Sequence, residues 1–183
     1  MRIAFVRPNL YAGRSSDAME PLAFAILAGC TPQDCEVELY DERLEDIPER
    51  LEVDLVAITV ETFTARRAYQ LASRFERQGI PVVAGGYHAT FCSEEALRYV
   101  RSVVIGDGDD IWPDVVQDAR VGKLKRRYQS HFPGYQNALW IGVFFAASDI
   151  VPWLWCSLEE VADMRAIFVR SMHFTGRVCD GVL

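Results

Sequence analysis

The sequence predicts an α/β domain in which helices cover both faces of a parallel sheet. Short apolar runs rich in β-branched residues alternate with longer segments of helical periodicity from residue 2 to residue 122. These runs are almost continuously apolar, which is typical of strands buried on both faces. With 183 residues, 50% of them hydrophobic, the chain is long enough for one domain with a sizeable core.

Five segments carry the strand pattern. The run at 2–8 is stopped by Pro8, and 36–41 alternates as a strand with one covered face does. Further buried strands are predicted within 54–60 and 80–86, and within 102–110, where the strand ends in the glycine–acid loop GDGDD. Five such strands fit a flavodoxin-like (Rossmann-like), doubly wound sheet rather than a barrel.

Four segments between the strands show helical features. They are residues 20–30, 61–79, 92–100 and 110–122. The second has an apolar stripe of 3.6-residue period and ends at Gly79. Ser93 is the predicted N-cap of the third helix, and Asp109 or Asp110 that of the fourth. Thr62 or Thr64 fits the N-cap of the second.

Ligands of doubly wound folds bind at the carboxyl ends of the strands, which here are followed by the loops 8–18, 59–64, 85–92 and 106–110. The strand–helix alternation stops near residue 128, so we predict one domain over 1–128. Residues 129–183 are predicted to be a linker and an apolar, mostly helical extension.

The extension contains a long apolar segment at 138–156. Asp149 and Pro152 lie within it, which favours a buried or interfacial segment over a membrane span. We expect it to pack on the domain or to form a dimer interface.

Charge and cysteine content exclude several classes of function. A net charge of −7 argues against a nucleic-acid partner, and the basic run at 123–128 fits a solvated helix end or linker. The five cysteines form neither a CxxC nor a CxxxCxxC motif, so we expect no zinc site and no iron–sulfur cluster. Without a signal-peptide pattern, the chain is expected in the cytoplasm with reduced thiols.

The predicted binding edge holds several polar and glycine residues. Gly85 and Gly86 fit either a ligand lying against the backbone or a tight turn that needs glycine for steric reasons. His88 has no neighbouring His or Cys in its motif, which favours a polar contact over a metal site. The acidic loop at 106–110 lacks the ligands of a calcium loop and would repel a phosphate.

Taken together and in order, several motifs resemble one family, the N-terminal cobalamin (B12)-binding domain of B12-dependent radical SAM enzymes. That group includes the anaerobic magnesium-protoporphyrin cyclase and the hopanoid methylases. The resemblance covers about residues 1–128 and rests on these segments: RPN, EPLAFAILAG, YDERLED, DLVAITVETFTARRAYQLA, IPVVAGGYHATFCSEEAL and VVIGDGDDIWPDVV. The fifth is similar to the GGxHxT segment of the family, and the last to its GEGE segment.

The resemblance implies cobalamin as cofactor, bound against the strand ends with its nucleotide tail along the sheet edge. By position, the first loop would face the lower side of the corrin, and the other loops would border the ring and the tail. The cofactor-binding residues implied are Asn9, Tyr11, Ser15, Ser16, Thr59, Glu61, Thr62, Gly85, Gly86, Tyr87, His88, Thr90, Gly106, Asp107 and Gly108.

Two departures from related patterns shape the functional hypothesis. The DxHxxG motif that supplies a cobalt-ligating histidine is absent, since no histidine precedes position 88. The resemblance therefore implies base-off binding without a histidine ligand. The CxxxCxxC cluster motif is also absent, so the chain lacks complete catalytic machinery.

Three hypotheses follow for the chain as a whole. It is a cobalamin carrier or sensor that acts with a separate radical SAM or methyltransferase partner, or a component of the methyltransferase itself. The alternative is a flavodoxin-like regulatory domain that binds no B12.

Overall fold

The structure is a computed structural model that describes residues 1–10, 13–14 and 21–130. Its sheet has six parallel strands in the order β2-β1-β3-β4-β5-β6. The strands are β1 (Arg2–Arg7), β2 (Glu36–Asp41), β3 (Leu55–Thr59), β4 (Val82–Gly85), β5 (Ser102–Ile105) and β6 (Arg127–Gln129). The predicted doubly wound α/β class is confirmed, with a sixth strand beyond the five predicted.

Five helices connect the strands within the described residues. They are α1 (Leu22–Cys30), α2 (Ala65–Arg77), α3 (Tyr87–Phe91), α4 (Ser93–Ala96) and α5 (Trp112–Arg120). Helix α3 was not predicted, because five residues are too few to show a helical period. It places His88 on a helix rather than in an open loop.

Alternation along the strands divides the core between the two faces of the sheet. Ala4 and Val6 of β1 belong to the cluster that α2 completes with Leu71 and Phe75. The other face holds Ile3 and Phe5 with residues of α1 and α5.

Three aromatic rings fill the α1/α5 face. Phe5 stacks on Phe24 with ring centroids 4.9 Å apart, and the Trp112 ring lies 5.6 Å from that of Phe5. The indole Nε1 of Trp112 donates a hydrogen bond of 2.8 Å to Thr31 Oγ1, so the buried ring keeps its polar atom satisfied. The three rings therefore pack β1 against α1 and α5 on this face of the sheet.

The sixth strand comes from the basic run that we expected to be a helix end or linker. Arg127–Gln129 pairs in parallel with β5, and Tyr128 is only 2% exposed. The Tyr128 hydroxyl donates to Asp118 Oδ2 at 2.8 Å and accepts from the Lys125 amide at 3.0 Å. An edge strand with one buried side chain leaves no apolar run for sequence analysis to detect. This strand crosses position 128, where the domain was predicted to end.

The predicted N-caps of two helices are wrong. Ser93 is the first residue of α4, which follows Cys92, and α5 follows Ile111 rather than Asp109 or Asp110. Helix α2 does begin after Thr64, one of the two threonines considered, but the Thr64 side chain makes no cap hydrogen bond. Instead its hydroxyl contacts the backbone of Glu61 at 3.3 Å. Helix packing on the sheet sets these boundaries without help from side-chain caps.

The apolar segment at 138–156 lies outside the described residues. Among the residues that the structure describes, no helix is long and apolar enough to cross a membrane.

Candidate functional site

The carboxyl ends of β1, β3 and β4 meet at one edge of the sheet. The chain order reverses at β1, which pairs with β2 on one side and with β3 on the other. Such a switch point opens a crevice between the loops that leave in opposite directions. This edge is therefore where a ligand is expected from topology alone.

Gly85 leaves open space at this edge. It ends β4 and pairs with Thr59, the last residue of β3. A Cβ placed on Gly85 would meet no atom within 4 Å, so packing within the domain does not require glycine there. An open backbone surface at a strand end is what a broad ligand needs in order to lie close to the chain.

Gly86 has the opposite environment. Its φ is +102°, and a Cβ there would lie 3.0 Å from the Val60 oxygen and 3.3 Å from a carboxylate oxygen of Glu61. The same Val60 oxygen accepts a hydrogen bond of 3.0 Å from the His88 amide. Gly86 thus packs the β4 turn against the end of β3. The sequence left two interpretations of the glycine pair open. Gly86 fits a tight turn that needs glycine for steric reasons, and Gly85 fits a position where a ligand lies against the backbone.

Three exposed aromatic residues follow the ends of β3 and β4, and we call them the aromatic rim: Phe63, Tyr87 and Phe91. Their exposed fractions are 64%, 72% and 80%. Phe63 follows β3, whereas Tyr87 and Phe91 are four residues apart on one face of α3. Leu10, after β1, is also 45% exposed. Clustered apolar side chains at a strand-end crevice favour an apolar ligand or partner.

His88 makes its side-chain contacts away from the glycines, with α2 and α4. Its Nε2 lies 3.3 Å from Glu95 Oε1, and its ring centroid is 6.2 Å from that of Tyr69. The imidazole side chain is 13% exposed. Burial first, and then the Glu95 carboxylate, raise the pKa of the Tyr69 hydroxyl, so that group stays protonated beside the pair. These contacts hold the histidine in a structural position.

The loop at 106–110 joins β5 to α5 at the same edge of the sheet. Thr90 Oγ1 accepts a hydrogen bond of 3.1 Å from the Gly106 amide. Gly106 has φ +87°, and a Cβ on Gly108 would lie 3.3 Å from Leu27 Cδ2 of α1. Asp107 between them is exposed. Thr90 thus ties α3 to this loop, and the role of the loop in binding stays a prediction.

The first loop is tied down by its own hydrogen bonds. The Asn9 side chain donates to the Gly13 oxygen at 2.7 Å and accepts from the Leu10 amide at 2.8 Å. The Asn9 amide donates to Glu42 Oε2 at 2.9 Å. Tyr11, Ser15 and Ser16 lie outside the described residues. Thr62 is exposed beside Phe63.

Sequence analysis missed one charged residue at this edge, Arg7. It ends β1 and is partly buried. Among the described residues its side chain has no hydrogen-bond or ion-pair partner. Burial first, then the Arg43 guanidinium, lower the pKa of Arg7, while the Asp41 and Glu61 carboxylates oppose the shift. The feature of the sequence that could have indicated Arg7 as a candidate site residue is its positive charge directly after the apolar residues of β1.

Together these features define a class: a doubly wound α/β domain that receives a broad, largely apolar ligand at its strand ends. The described residues contain no group of three or more His, Cys, Asp or Glu side chains able to hold a metal ion. A family model for the B12 binding domain matches residues 10–116, and the chain belongs to that family. Its cofactor is cobalamin, as the resemblance in the sequence implied.

Two curated relatives from Chlorobaculum tepidum share this region. The bacteriochlorophyllide d C-8(2)-methyltransferase is 37% identical over 110 residues, which are 60% of this chain and 24% of that protein. The bacteriochlorophyllide d C-12(1)-methyltransferase is 34% identical over 112 residues, 60% of this chain and 25% of its own length. The chain thus matches only about a quarter of the length of each of these relatives.

The open strand end fits this cofactor. A corrin is a broad macrocycle, and the free surface over Gly85 with the aromatic rim beside it supplies space and apolar contact. No side chain has to move to clear the Gly85 backbone.

Proposed function

We propose that the chain is the cobalamin-binding unit of a B12-dependent methyltransferase system and holds the corrinoid base-off, without a histidine ligand to cobalt. The observation that carries the proposal is the open position at Gly85, at the strand-end edge of a B12 binding domain. When bound, cobalamin supplies the methyl-transfer chemistry. The protein contributes position: Thr59, Gly85 and Tyr87 border the corrin and the upper part of its tail.

The absence of a histidine ligand rests on where the histidines are. The chain has three, at 88, 131 and 173, and none lies in the loop that follows β1. The His88 side chain contacts Tyr69 and Glu95. It therefore forms part of the wall of the site and does not ligate cobalt.

The substrate step belongs to another unit. The identity with the two methyltransferases covers about a quarter of each, so it does not carry their acceptors over to this chain. We propose that a radical SAM or methyltransferase partner, or further domain, completes the reaction in the cytoplasm. The domain boundary near residue 128 and a homo-oligomer formed through 138–156 remain predictions of the sequence.

The proposal is tested by the visible absorption of purified protein. The full chain is incubated with hydroxocobalamin, freed of unbound corrinoid by gel filtration and compared with a His88→Ala variant. We expect retained corrin bands of base-off character in both proteins, because His88 does not reach cobalt. Arg77→Ala, an exposed substitution at the C-terminal end of α2 and outside the predicted site, controls for purification losses.

Two results would contradict the proposal. If the folded wild type retains no corrin, the cobalamin function is wrong and the regulatory alternative without B12 gains support. If the His88→Ala spectrum differs from that of the wild type, His88 is a cobalt ligand and histidine-free binding is wrong.

A further inference from the structure

We propose that Arg7 binds the phosphodiester of the cobalamin nucleotide loop and thereby makes the site selective for corrinoids that carry the phosphate. This inference rests on the proposed function and assigns a residue to the recognition of the cofactor tail. Arg7 lies in the RPN segment on which the resemblance rests, but the resemblance gave it no role in binding.

Strand alternation places Arg7 on the face of the sheet that carries the open glycine. Phe5 packs with α1 and α5, and Arg7 follows it by two residues on the same face. By the same count, Thr59 follows Ala57 and Gly85 follows Val83, both of which belong to that face. The guanidinium, the threonine and the open glycine therefore stand at neighbouring strand ends on one side of the sheet.

Two carboxylates at the end of β2, next to the end of β1, those of Asp41 and Glu42, are already hydrogen-bonded to other arginines. Asp41, the register partner of Arg7, is 3% exposed and accepts a hydrogen bond of 2.9 Å from Arg43 Nε. Glu42 accepts one of 2.9 Å from Arg67 Nε. Glu61 acts on Arg7 only at a distance, with no ion pair between them among the described contacts.

Among the described residues, Arg7 is therefore a partly buried cation that no carboxylate pairs by hydrogen bond or ion pair, although Asp41 and Glu61 act on it electrostatically. A charge withdrawn from water in this way is stabilised most by an anionic partner, because neutral dipoles replace less of the lost hydration. Arg7 ends β1 beside the switch point, which is the edge where ligands of this fold bind.

The phosphodiester is the group of cobalamin that meets this requirement. The side chains around the corrin end in neutral amides, whereas the nucleotide loop carries one phosphodiester with a negative charge. Guanidinium groups match phosphate oxygens with two parallel N–H donors, an arrangement that a neutral amide does not reproduce. The tail is also the part of the cofactor expected along this face of the sheet.

The experiment compares three corrinoids on the full chain: cobalamin, cobinamide phosphate and cobinamide, which lacks the phosphate. Dissociation constants are measured by visible-absorption titration for the wild type, Arg7→Met and Arg7→Gln. The matched control is Arg2→Met, on the same strand at the opposite edge, where Arg2 makes only a 3.7 Å surface pair with Glu52. Circular dichroism checks that every variant is folded.

We expect Arg7→Met to weaken cobalamin and cobinamide phosphate by about 10- to 100-fold, the usual size of a lost hydrogen bond to a charged group. Cobinamide binding should change by less than about twofold, and Arg2→Met should change none of the three. Arg7→Gln, which keeps a polar side chain without the charge, should behave as Arg7→Met and serves alone if the methionine variant does not fold.

The proposal is overturned if the Arg7 variants lose all three corrinoids equally, or bind cobalamin as tightly as the wild type. Loss of cobalamin with retention of cobinamide phosphate also overturns it, because the contact would then be to the base. A folded wild type that binds no corrinoid at all is a different result: it refutes the cobalamin function itself, and this inference with it.

Discussion

Gly85 and Gly86, at the end of β4, are predicted to have different roles, and substitutions at the two positions distinguish these roles. Gly86→Ala would force φ +102° on a residue with a Cβ 3.0 Å from the Val60 oxygen. We expect it to lower the free energy of unfolding by about 1–3 kcal/mol, measured by urea denaturation. Gly85→Ala, the matched control, should change stability by less than about 0.5 kcal/mol because its Cβ enters open space.

A larger side chain at Gly85 tests the ligand position itself. Gly85→Leu is expected to fold as the wild type does and to bind cobalamin at least about tenfold more weakly, since it fills the space over the strand end. Equal affinity in the folded variant would place the corrin elsewhere on the domain. Equal loss of stability at both glycines would refute the distinction between them.

At the level of single residues, the sequence placed Gly85 and Gly86 at the carboxyl end of a strand, because a glycine pair after an apolar run leaves a local signal. The part of these residues and of Thr90 in binding stays a prediction. The sequence did not indicate that His88 contacts Tyr69 and Glu95. Those partners come from α2 and α4, and only packing brings them together. Arg7 was missed because a terminal arginine does not interrupt an apolar strand pattern.

Among the elements, the contact of Glu42 with Arg67 joins the turn after β2 to α2. Burial acts to raise the pKa of the Glu42 carboxyl, but hydrogen bonds from Arg67 and the Asn9 amide outweigh it, and the pKa lies below its ordinary value. A carboxyl of this kind adds stability above about pH 4.3 and loses that contribution as the pH falls through its lowered pKa.

Arg67→Met should therefore destabilise the protein in a pH-dependent way. Arg67 is 42% exposed, so we expect a loss of only about 1 kcal/mol near neutral pH. The difference from the wild type should shrink toward zero as the pH falls below the lowered pKa of Glu42, where its carboxyl is protonated in both proteins. Urea denaturation across this pH range is the measurement, with exposed Arg66→Met as control. A difference that does not vary with pH would argue against the ion pair as its cause.

The elements that sequence analysis predicted are those with an apolar face. Strands β1, β3 and β4 and helix α2 bury several side chains each, so their periodicity is visible. Strand β6 buries Tyr128 alone, and α3 is a single short turn. The helix caps were mispredicted because hydroxyl and carboxylate residues near a boundary do not fix it when packing does.

For the whole molecule, the described site lies within the first 130 residues. We expect deletion of 136–183 to leave cobalamin affinity within about twofold of the full chain, measured by the same absorption titration. Gel filtration of the same protein tests the predicted role of 138–156. An unchanged, monodisperse oligomeric state after the deletion would contradict it, and a folded truncated protein without cobalamin binding would place part of the site beyond residue 135.

The fold class was predictable from the alternation of strands and helices over the whole chain, and the cofactor from motifs spread across it. Neither the fold class nor the cofactor depends on any single contact. The charge environment of Arg7 depends on individual long-range contacts, because the Asp41 and Glu61 carboxylates that act on it belong to β2 and to the loop after β3. Strand order likewise depends on pairing between distant segments. Long-range pairing of this kind leaves no local pattern in a sequence.

The all-parallel strand order also has a consequence for how the protein acquires its function during folding. Neighbouring strands are never joined by a hairpin, so each pairing closes a long loop before it gains contacts. Thr59 and Gly85 become neighbours only after β3, α2 and β4 have assembled. A nascent chain therefore has no cofactor site until its central strands are in place, and cobalamin can stabilise the finished sheet but not guide its early formation.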